Sequence, residues 1–528
     1  MADEEPRAAG EVEAAVRMYK NILGDCFLLK LTRGDERTTV LIDCGVIQGV
    51  SGAKDKMNAI ARDIVKECGG DVEAGRPGRL DLLVVTHEHW DHISGFGQAA
   101  DIFFDRSKLE IGRVWMAWTE DPEDELASEL DERFHRRKKA VAKMAMVAEG
   151  DQAHPFGAAP SGARTGLEAF VGPLEDEEGL GFGSKFTGRV IMEKLREASV
   201  DGPRFLTPGE VVTTPGPVGL RTYVLGPPRD KNRLFKDLPS SGDAQETYLA
   251  EPDVCEEPLV ALAEGRIEDM SEHSPFARPY RQLTRQKIDE RRARAGPPRD
   301  AVDAVADWLQ SRYFADLTPC RFGDSAPPGH SCAKDHLCQA DQARRRIDND
   351  WLAAAGPLAL KLDSDTNNTS LVLAFELPGG DVLLFAADAQ VGNWLSWHDQ
   401  KYRAGGRDIT AEDILARTVL YKVGHHGSHN ATLRQQGLEL MRHPRLAAMI
   451  PVVESIAAKQ PGQGWKMPFP HLKEELLTRT SGRILRGDCS PGQDLDEGRT
   501  KTVTSDAAFL GRVEEGPEQM WVEYRITG

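Results

Sequence analysis

Between positions 86 and 92 the chain reads Thr86-His87-Glu88-His89-Trp90-Asp91-His92, directly after the apolar run Asp81–Val85. Three imidazoles and a carboxylate converging on the turn that leaves a buried strand crowd one another unless a cation sits among them. His87 and His89 alternate and can point to one side, while Asp91 and His92 open the next helix and approach from another direction. Such donors suit Zn²⁺, Mn²⁺ or Fe²⁺ better than Mg²⁺ or Ca²⁺, which favour all-oxygen shells. Any fold this chain adopts must bring further ligands to the end of that strand.

Two later segments offer them. The apolar run Asp381–Ala386 delivers Asp388, placed to bridge two cations or complete one shell, unless it serves merely as a helix N-cap. The run Val419–Val423 leads into Gly424-His425-His426-Gly427-Ser428. His425, first off the strand, is the expected ligand, with His426 expected behind it. Lys422 and Ser428 are expected to line the pocket.

The periodicity around these motifs alternates strand with helix. Strands are expected at Cys26–Thr32, Thr38–Asp43, Asp81–Thr86, Arg113–Trp118 and Leu220–Leu225, with a helix over Ala53–Cys68. A charged helix is expected over Glu123–Glu149 and loop over Gly150–Gly183. The β pattern then stops from Arg229 to Gly356, which reads as an insertion, and resumes at Ser370–Glu376, Asp381–Ala386, Val419–Val423 and Ala447–Val453. Helical stretches are expected at Ala411–Arg417 and His471–Thr480, and a closing β pair near Ala507–Val513 and Met520–Ile526.

Bulk properties narrow the class. The 528 residues carry 66 Lys and Arg against 84 Asp and Glu, a formal charge of −18, so nucleic-acid contact needs a local basic groove. Eight cysteines over this length and a polar, acid-rich Met1–Val12 are expected of reduced thiols in a cytoplasm. No stretch approaches the roughly 18 consecutive apolar residues of a membrane span, so no membrane contact is expected except through a partner.

The motifs and their order resemble the metallo-β-lactamase fold hydrolases, and within them the hydrolase domain of the competence DNA-uptake protein ComEC and its soluble relatives. The resemblance rests on Leu23-Gly24-Asp25-Cys26, Leu41-Ile42-Asp43-Cys44-Gly45, the His87–His92 string and Thr222–Pro227. It continues through Asn367-Asn368-Thr369-Ser370-Leu371-Val372, Ala387-Asp388-Ala389 and Lys422–Ser428. It covers roughly Val16–Gly226 and Asp363–Arg486. It implies an α/β fold, a four-layer αββα sandwich over residues 13–528 interrupted by insertions at 119–200 and 229–356. It also implies one or two divalent ions, zinc or manganese. Carried over by position, His87 and His89 would hold one ion, Asp91, His92 and His425 the other, and Asp388 would bridge, with Asp43, Asn368 and His426 around them. The third-motif histidine of the family has no clear counterpart; His154 stands at a plausible distance. Without it the first site keeps three protein ligands, and a mononuclear or loosely filled dinuclear centre is expected.

A bound cation brings a water toward ionisation at neutral pH and polarises the bond under attack. Asp91 would orient that water and take its proton, and His471, after Pro468-Phe469-Pro470, would protonate the leaving group or contact a phosphate, or else serve as a helix-start residue. The leading expectation is a phosphodiesterase or nuclease. Hydrolysis of a small ester, lactone or cyclic nucleotide is the alternative, and a partner-binding module of a multi-protein system, such as phage defence, is a third.

Three weaker features accompany these. Cys320, His330, Cys332, His336 and Cys338 hold enough soft donors for a structural zinc at an unfamiliar spacing. The basic island Arg278–Arg299, with Arg281, Arg285, Arg291 and Arg292, can track a phosphate backbone or be a solvated helix, and the insertions can dock a protein partner. Trp394 and Trp397 are expected in the core more than in a pocket wall, and His398 is not expected to bind metal.

Overall fold

The computed structural model describes residues 11–150, 187–236, 355–460, 465–496 and 498–527, with side chains described for all of these except 142–150, 355–358 and 360. The chain divides into two compact units. One comprises Met1–Lys138, Gly162–Asp253 and Ala359–Gly528; the other comprises Lys139–Ser161 and Val254–Leu358 and lies almost wholly outside the described residues.

In chain order its strands are β1 (Glu13–Tyr19), β2 (Cys26–Arg33), β3 (Glu36–Cys44), β4 (Gly78–Val84), β5 (Leu109–Ala117), β6 (Pro203–Leu206), β7 (Val211–Thr213), β8 (Arg221–Gly226), β9 (Val372–Glu376) and β10 (Val382–Phe385). There follow β11 (Tyr402–Ala404), β12 (Arg407–Ile409), β13 (Thr418–Lys422), β14 (Ala447–Ile450), β15 (Ile484–Arg486), β16 (Gln493–Asp496), β17 (Arg499–Thr502), β18 (Val513–Glu515) and β19 (Trp521–Thr527). They build an eight-stranded sheet in the order β18-β19-β1-β2-β3-β4-β5-β6 and a seven-stranded sheet in the order β15-β14-β13-β10-β9-β8-β7. The first sheet is antiparallel from β18 to β3 and parallel from β3 to β6. The second is parallel from β15 to β10 and antiparallel from β10 to β7.

Alternation along the strands explains why two sheets stack. Phe27, Leu29 and Leu31 of β2 and Val40 and Ile42 of β3 face the same core as Leu373 and Phe375 of β9 and Leu383 and Phe385 of β10. The intervening Leu28 and Leu41 point the other way, into a second core. A strand apolar on both faces must be covered on both, and helices supply the outer covers. Helix α1 (Ala53–Glu67) buries Met57, Ile60, Ala61, Ile64 and Val65 at helical spacing, and α2 (Trp90–Gln98) packs beside it. On the opposite face the helices Val391–Trp397, Ala411–Ala416 and Pro470–Arg479 bury Trp394, Trp397, Ile414, Leu472 and Leu476 against Tyr223, Leu384 and Tyr421. The result is a helix, sheet, sheet, helix sandwich, the fold class expected.

Details depart from expectation where tertiary context decides. The closing pair begins later: Ala507–Leu510 is a short helix capped by Asp506, which accepts from Phe509 N, and the strand starts at Val513. The strand β1 was not expected; its charged Glu13 and Arg17 hid a run that pairs with both β2 and β19. Arg17 is buried among Glu523, Asp63 and Glu67 and lies over the Trp521 ring. Residues 188–198, expected within an insertion, form a helix that buries Ile191, Met192 and Leu195 in the outer core of the first sheet. The chain just after Arg229 also belongs to the sandwich, since Gly392 N donates to Lys236 O at 2.7 Å. The loop Gly150–Gly183, His154, the cluster Cys320–Cys338 and the basic island with Arg281, Arg285, Arg291 and Arg292 lie outside the described residues, apart from Gly150 at the end of the helix Glu125–Gly150. Among the described residues no helix is long and apolar enough to cross a membrane.

Candidate metal centre

Carboxyl ends of parallel strands are where open α/β sheets gather their functional groups, because the turns there all leave on one side. Here β3 ends in Asp43, β4 in the His87–His92 string, β10 in Asp388 and β13 in His425 and His426. Three of these turns use backbone that L-residues rarely adopt, at four residues: φ is +54° at Asp43, +47° at Ala387, +44° at His425 and +51° at His426. Such conformations cost on the order of 1–3 kcal/mol each and persist where the surroundings hold them in place.

Asp43 organises the string. Its carboxylate accepts from Thr86 N (2.8 Å) and Thr86 Oγ1 (2.7 Å) and faces His92 Nδ1 at 2.8 Å. That fixes the His92 proton on Nδ1 and turns Nε2 toward Asp388 Oδ2, 3.2 Å away. The Thr86 hydroxyl spends its proton on Asp43, so toward His87 Nδ1 (3.1 Å) its oxygen accepts, leaving His87 Nε2 bare. Ser370 Oγ, 3.3 Å from His87 Nδ1, also receives Asp388 N at 3.2 Å, which ties β9 to both ligand turns. Leu371 N reinforces this by donating to Thr86 O.

The other half is set by Asp91 and His426. His426 Nδ1 donates to the Pro451 carbonyl at 2.7 Å, and its Nε2 lies 2.8 Å from Asp91 Oδ2. Two buried triples of donor atoms result, His87 with His92 and Asp388, and Asp91 with Asp388 and His426, and Asp388 is common to both. A third, Asp25 with Asp43 and His92, is a supporting network: Lys422 Nζ pairs with Asp25 Oδ2 and reaches Ala387 O at 2.9 Å and Asp388 Oδ1 at 3.4 Å.

Electrostatics follow from burial. Burial drives His87 and His89 well below the ordinary imidazole range and His425 down to about 4, which keeps them in the neutral form that donates a lone pair. His92 is held well above that range against the opposing effect of burial by Asp388, Asp25 and Asp43. Burial would raise Asp388, yet His92 and Lys422 hold it well below the usual carboxylate range.

The sequence expectations map onto this geometry unevenly. His87, Asp91, His92 and Asp388 meet, with Asp43 and Lys422 beside them. His426, expected behind His425, is the ring that reaches Asp91; the left-handed turn swings the two rings apart, their centroids 6.1 Å from one another. His425 anchors Asp388 through its main chain, its N donating to Oδ1 at 2.9 Å. Asn368 positions the Asp388 turn: its Oδ1 accepts from Gln390 N and Asn393 N. Ser428 donates to Asn430. His471 does not join the buried cluster; its side chain is 69% exposed on the first turn of Pro470–Arg479, packed on Phe469. His398 is engaged with Gln436 O.

The sequence motifs assign no role to two acids of the site, Asp25 within Leu23-Gly24-Asp25-Cys26 and Asp363. Asp363 Oδ1 lies 3.7 Å from His89 Nε2. The hint was its spacing of four from Asn367, which puts both on one face of the helix Ala355–Asn367. Beside the string a cavity of about 340 Å³ opens among Glu88, Glu120, Asp131, Phe134, Arg196 and Thr369. Burial and the neighbouring Glu88 push the Glu120 carboxyl up to about 7.

With the string, its Asp43 support and the first sheet in place, the comparison with protein families bears on the domain they form: the model of the metallo-beta-lactamase superfamily matches residues 22–187. This chain carries a metallo-beta-lactamase superfamily domain. A search of curated proteins finds no match to the chain. The matched stretch holds Asp43 and the string; Asp388 and His426 lie beyond it, on the second sheet. A metallo-beta-lactamase fold implies divalent metal ions, and the donors fit one: His87 Nε2, His92 Nε2, Asp91 Oδ1 and Asp388 Oδ2 are all buried without a hydrogen bond. Leaving such atoms unpaired costs about 1–3 kcal/mol each, whereas a cation satisfies several at once. Donors about 2.0–2.1 Å from a tetrahedral zinc lie about 3.3 Å apart, close to the His92 to Asp388 separation.

Proposed function

We propose that the protein is a metal-dependent hydrolase of phosphodiesters, with nucleic acid as the substrate class and zinc or manganese at one or two sites. The observation that carries the hydrolase reading is the pair of buried donor triples sharing Asp388 at the carboxyl ends of β4, β10 and β13. A divalent ion held there lowers the pKa of a water and polarises the bond under attack. The chain's own residues do the rest. Asp388 and the imidazoles His87, His89 and His92 would hold the ion, with His425 or His426 completing the set from the second sheet. Asp91, whose Oδ2 is held by His426 Nε2, would orient the attacking water and take its proton on the open Oδ1. Lys422 keeps Asp388 ionised.

The phosphodiester assignment is supported by the Asn367–Val372 and His425–Ser428 motifs, which resemble the ComEC-like branch, and by the basic island around Arg281, Arg285, Arg291 and Arg292 as a nucleic-acid contact. His471, exposed beside the His425–Ser428 turn through Phe469 N on Gly427 O, would meet a phosphate at the rim. A specific observation favours a second reading, hydrolysis of a small uncharged or cationic ester: the cavity beside the string is walled by Glu88, Glu120 and Asp131, which repel a polyanion.

The test incubates protein loaded with Zn²⁺ or Mn²⁺ with single- and double-stranded DNA, RNA, bis-p-nitrophenyl phosphate and p-nitrophenyl acetate. Cleavage of the nucleic acids and the diester, lost in Asp388→Ala, is the expected result. Cleavage of the acetate alone selects the small-ester reading, and inactivity of fully metallated protein on every substrate overturns the hydrolase assignment in favour of a partner-binding role.

A further inference from the structure

We propose that Asp363 is a metal ligand, closing with His87 and His89 the half of the centre for which the string alone supplies too few donors. The proposal rests on the reading of this site as a divalent-metal centre.

His89 stands at the N-terminus of α2 with its Nε2 3.7 Å from Asp363 Oδ1. That gap is too long for a hydrogen bond, and it is of the order of the separation between two donors on one ion. Asp363 is 6% exposed, and its Oδ1 is buried without a hydrogen bond, while Oδ2 accepts from Asn367 Nδ2 at 3.3 Å. One oxygen is thus used to orient the carboxylate and the other is aimed at the imidazole.

Asp365, two residues on, is also buried, and it has two cationic partners: Arg137 at 2.5 Å and Lys361 at 3.0 Å. Asp363 has none among the residues that govern its charge. Its electrostatic neighbours are two further acids, Asp91 and Asp388. A buried acid facing two other acids is costly to ionise unless a cation lies between them. Asp365 therefore serves the fold, and Asp363 faces the ligands.

The position of the helix is itself tied to the centre. Asn368, at its end, holds the turn after Asp388 through Gln390 N and Asn393 N, and Ser370 bridges His87 and Asp388. Asp363 lies between the string and Asp388 in sequence.

The experiment compares the full chain with Asp363→Asn and Asp363→His, prepared metal-free and titrated with Co²⁺ and Zn²⁺. Readouts are bound metal per chain after dialysis, the Co²⁺ visible absorption and the melting temperature. The proposal expects Asp363→Asn to lose one equivalent or to weaken one site at least tenfold, with a changed Co²⁺ spectrum, and Asp363→His to restore binding. Near-UV circular dichroism of the metal-free proteins excludes a folding defect in Asp363→Asn. Should that variant fail to fold, the Asp363→His spectrum decides: an absorption band shifted by the new nitrogen supports ligation, and an unchanged spectrum overturns it. Equal stoichiometry, affinity and spectra in wild type and Asp363→Asn also overturn the proposal while leaving the metal centre standing. If the wild-type protein itself binds neither ion, the metal reading fails first.

Discussion

Asp43 meets Thr86 N, Thr86 Oγ1 and His92 Nδ1 with two oxygens, so its removal disturbs the string without touching a bound ion. Asp43→Asn is expected to weaken metal binding 10- to 100-fold, read by competition titration, while the fold survives. Lys422 is a different case. It is the buried cation for Asp25 and Asp388, with its own pKa pushed up to about 12 by those acids against the effect of burial. Lys422→Met leaves both carboxylates without it, and a loss of about 3–5 kcal/mol in urea unfolding is the expected outcome. At this scale the string was legible because three imidazoles and an acid in six positions leave few physical explanations. Asp388 was legible because an apolar strand delivered it. Asp363 was not, because a lone acid in a helix has no local pattern that separates it from Asp365. Which of His425 and His426 turns inward depends on two left-handed residues that no side-chain pattern announces.

Between elements, contact is close enough for single atoms to matter. A Cβ at Gly45 would stand 2.1 Å from Asp91 C and 2.3 Å from His92 N, so the turn after β3 and the start of α2 fit against each other with no room for a side chain. Gly45→Ala is expected to displace the string; metal content per folded chain, measured after purification, should fall by more than half, and soluble yield with it. The junction of β5 with the helix Gly188–Ala198 carries a titratable pair, Glu120 with Arg196 at 2.9 Å. Because the folded carboxyl ionises at about 7, above its ordinary 4.5, folded protein holds a proton that unfolded protein releases between those values. The contribution is fully present below pH 4.5 and is lost as pH rises through 7. Relative to Glu120→Gln, wild type should lose on the order of 2 kcal/mol between pH 5 and pH 8 in urea midpoints. Apolar strands such as β2 to β5, β8 to β10, β13 and β14 could be read from the sequence, whereas the short pair β11 and β12 could not. The strand β1 and the helix Gly188–Ala198 could not, because charged residues that the fold buries or turns to solvent broke their pattern.

For the whole molecule, the sandwich followed from alternation on both faces and from motif order, whereas the boundary between sandwich and insertions did not, since Lys236 and the helix Gly188–Ala198 serve the core from stretches of irregular composition. If the centre binds metal in the folded state alone, Zn²⁺ or Mn²⁺ at 100 times its dissociation constant should add about 2.7 kcal/mol to stability, seen as a rise in melting temperature that chelation reverses. Asp91 and His426 meet across 335 positions of sequence. Contacts of that span form late, after the loops between them have closed. Added zinc should therefore leave the refolding rate unchanged and slow unfolding instead. If the centre binds an ion, a growing chain on the ribosome cannot assemble the Asp91, Asp388 and His426 triple until β13 has emerged and docked, so metal uptake there would report that both sheets have found each other.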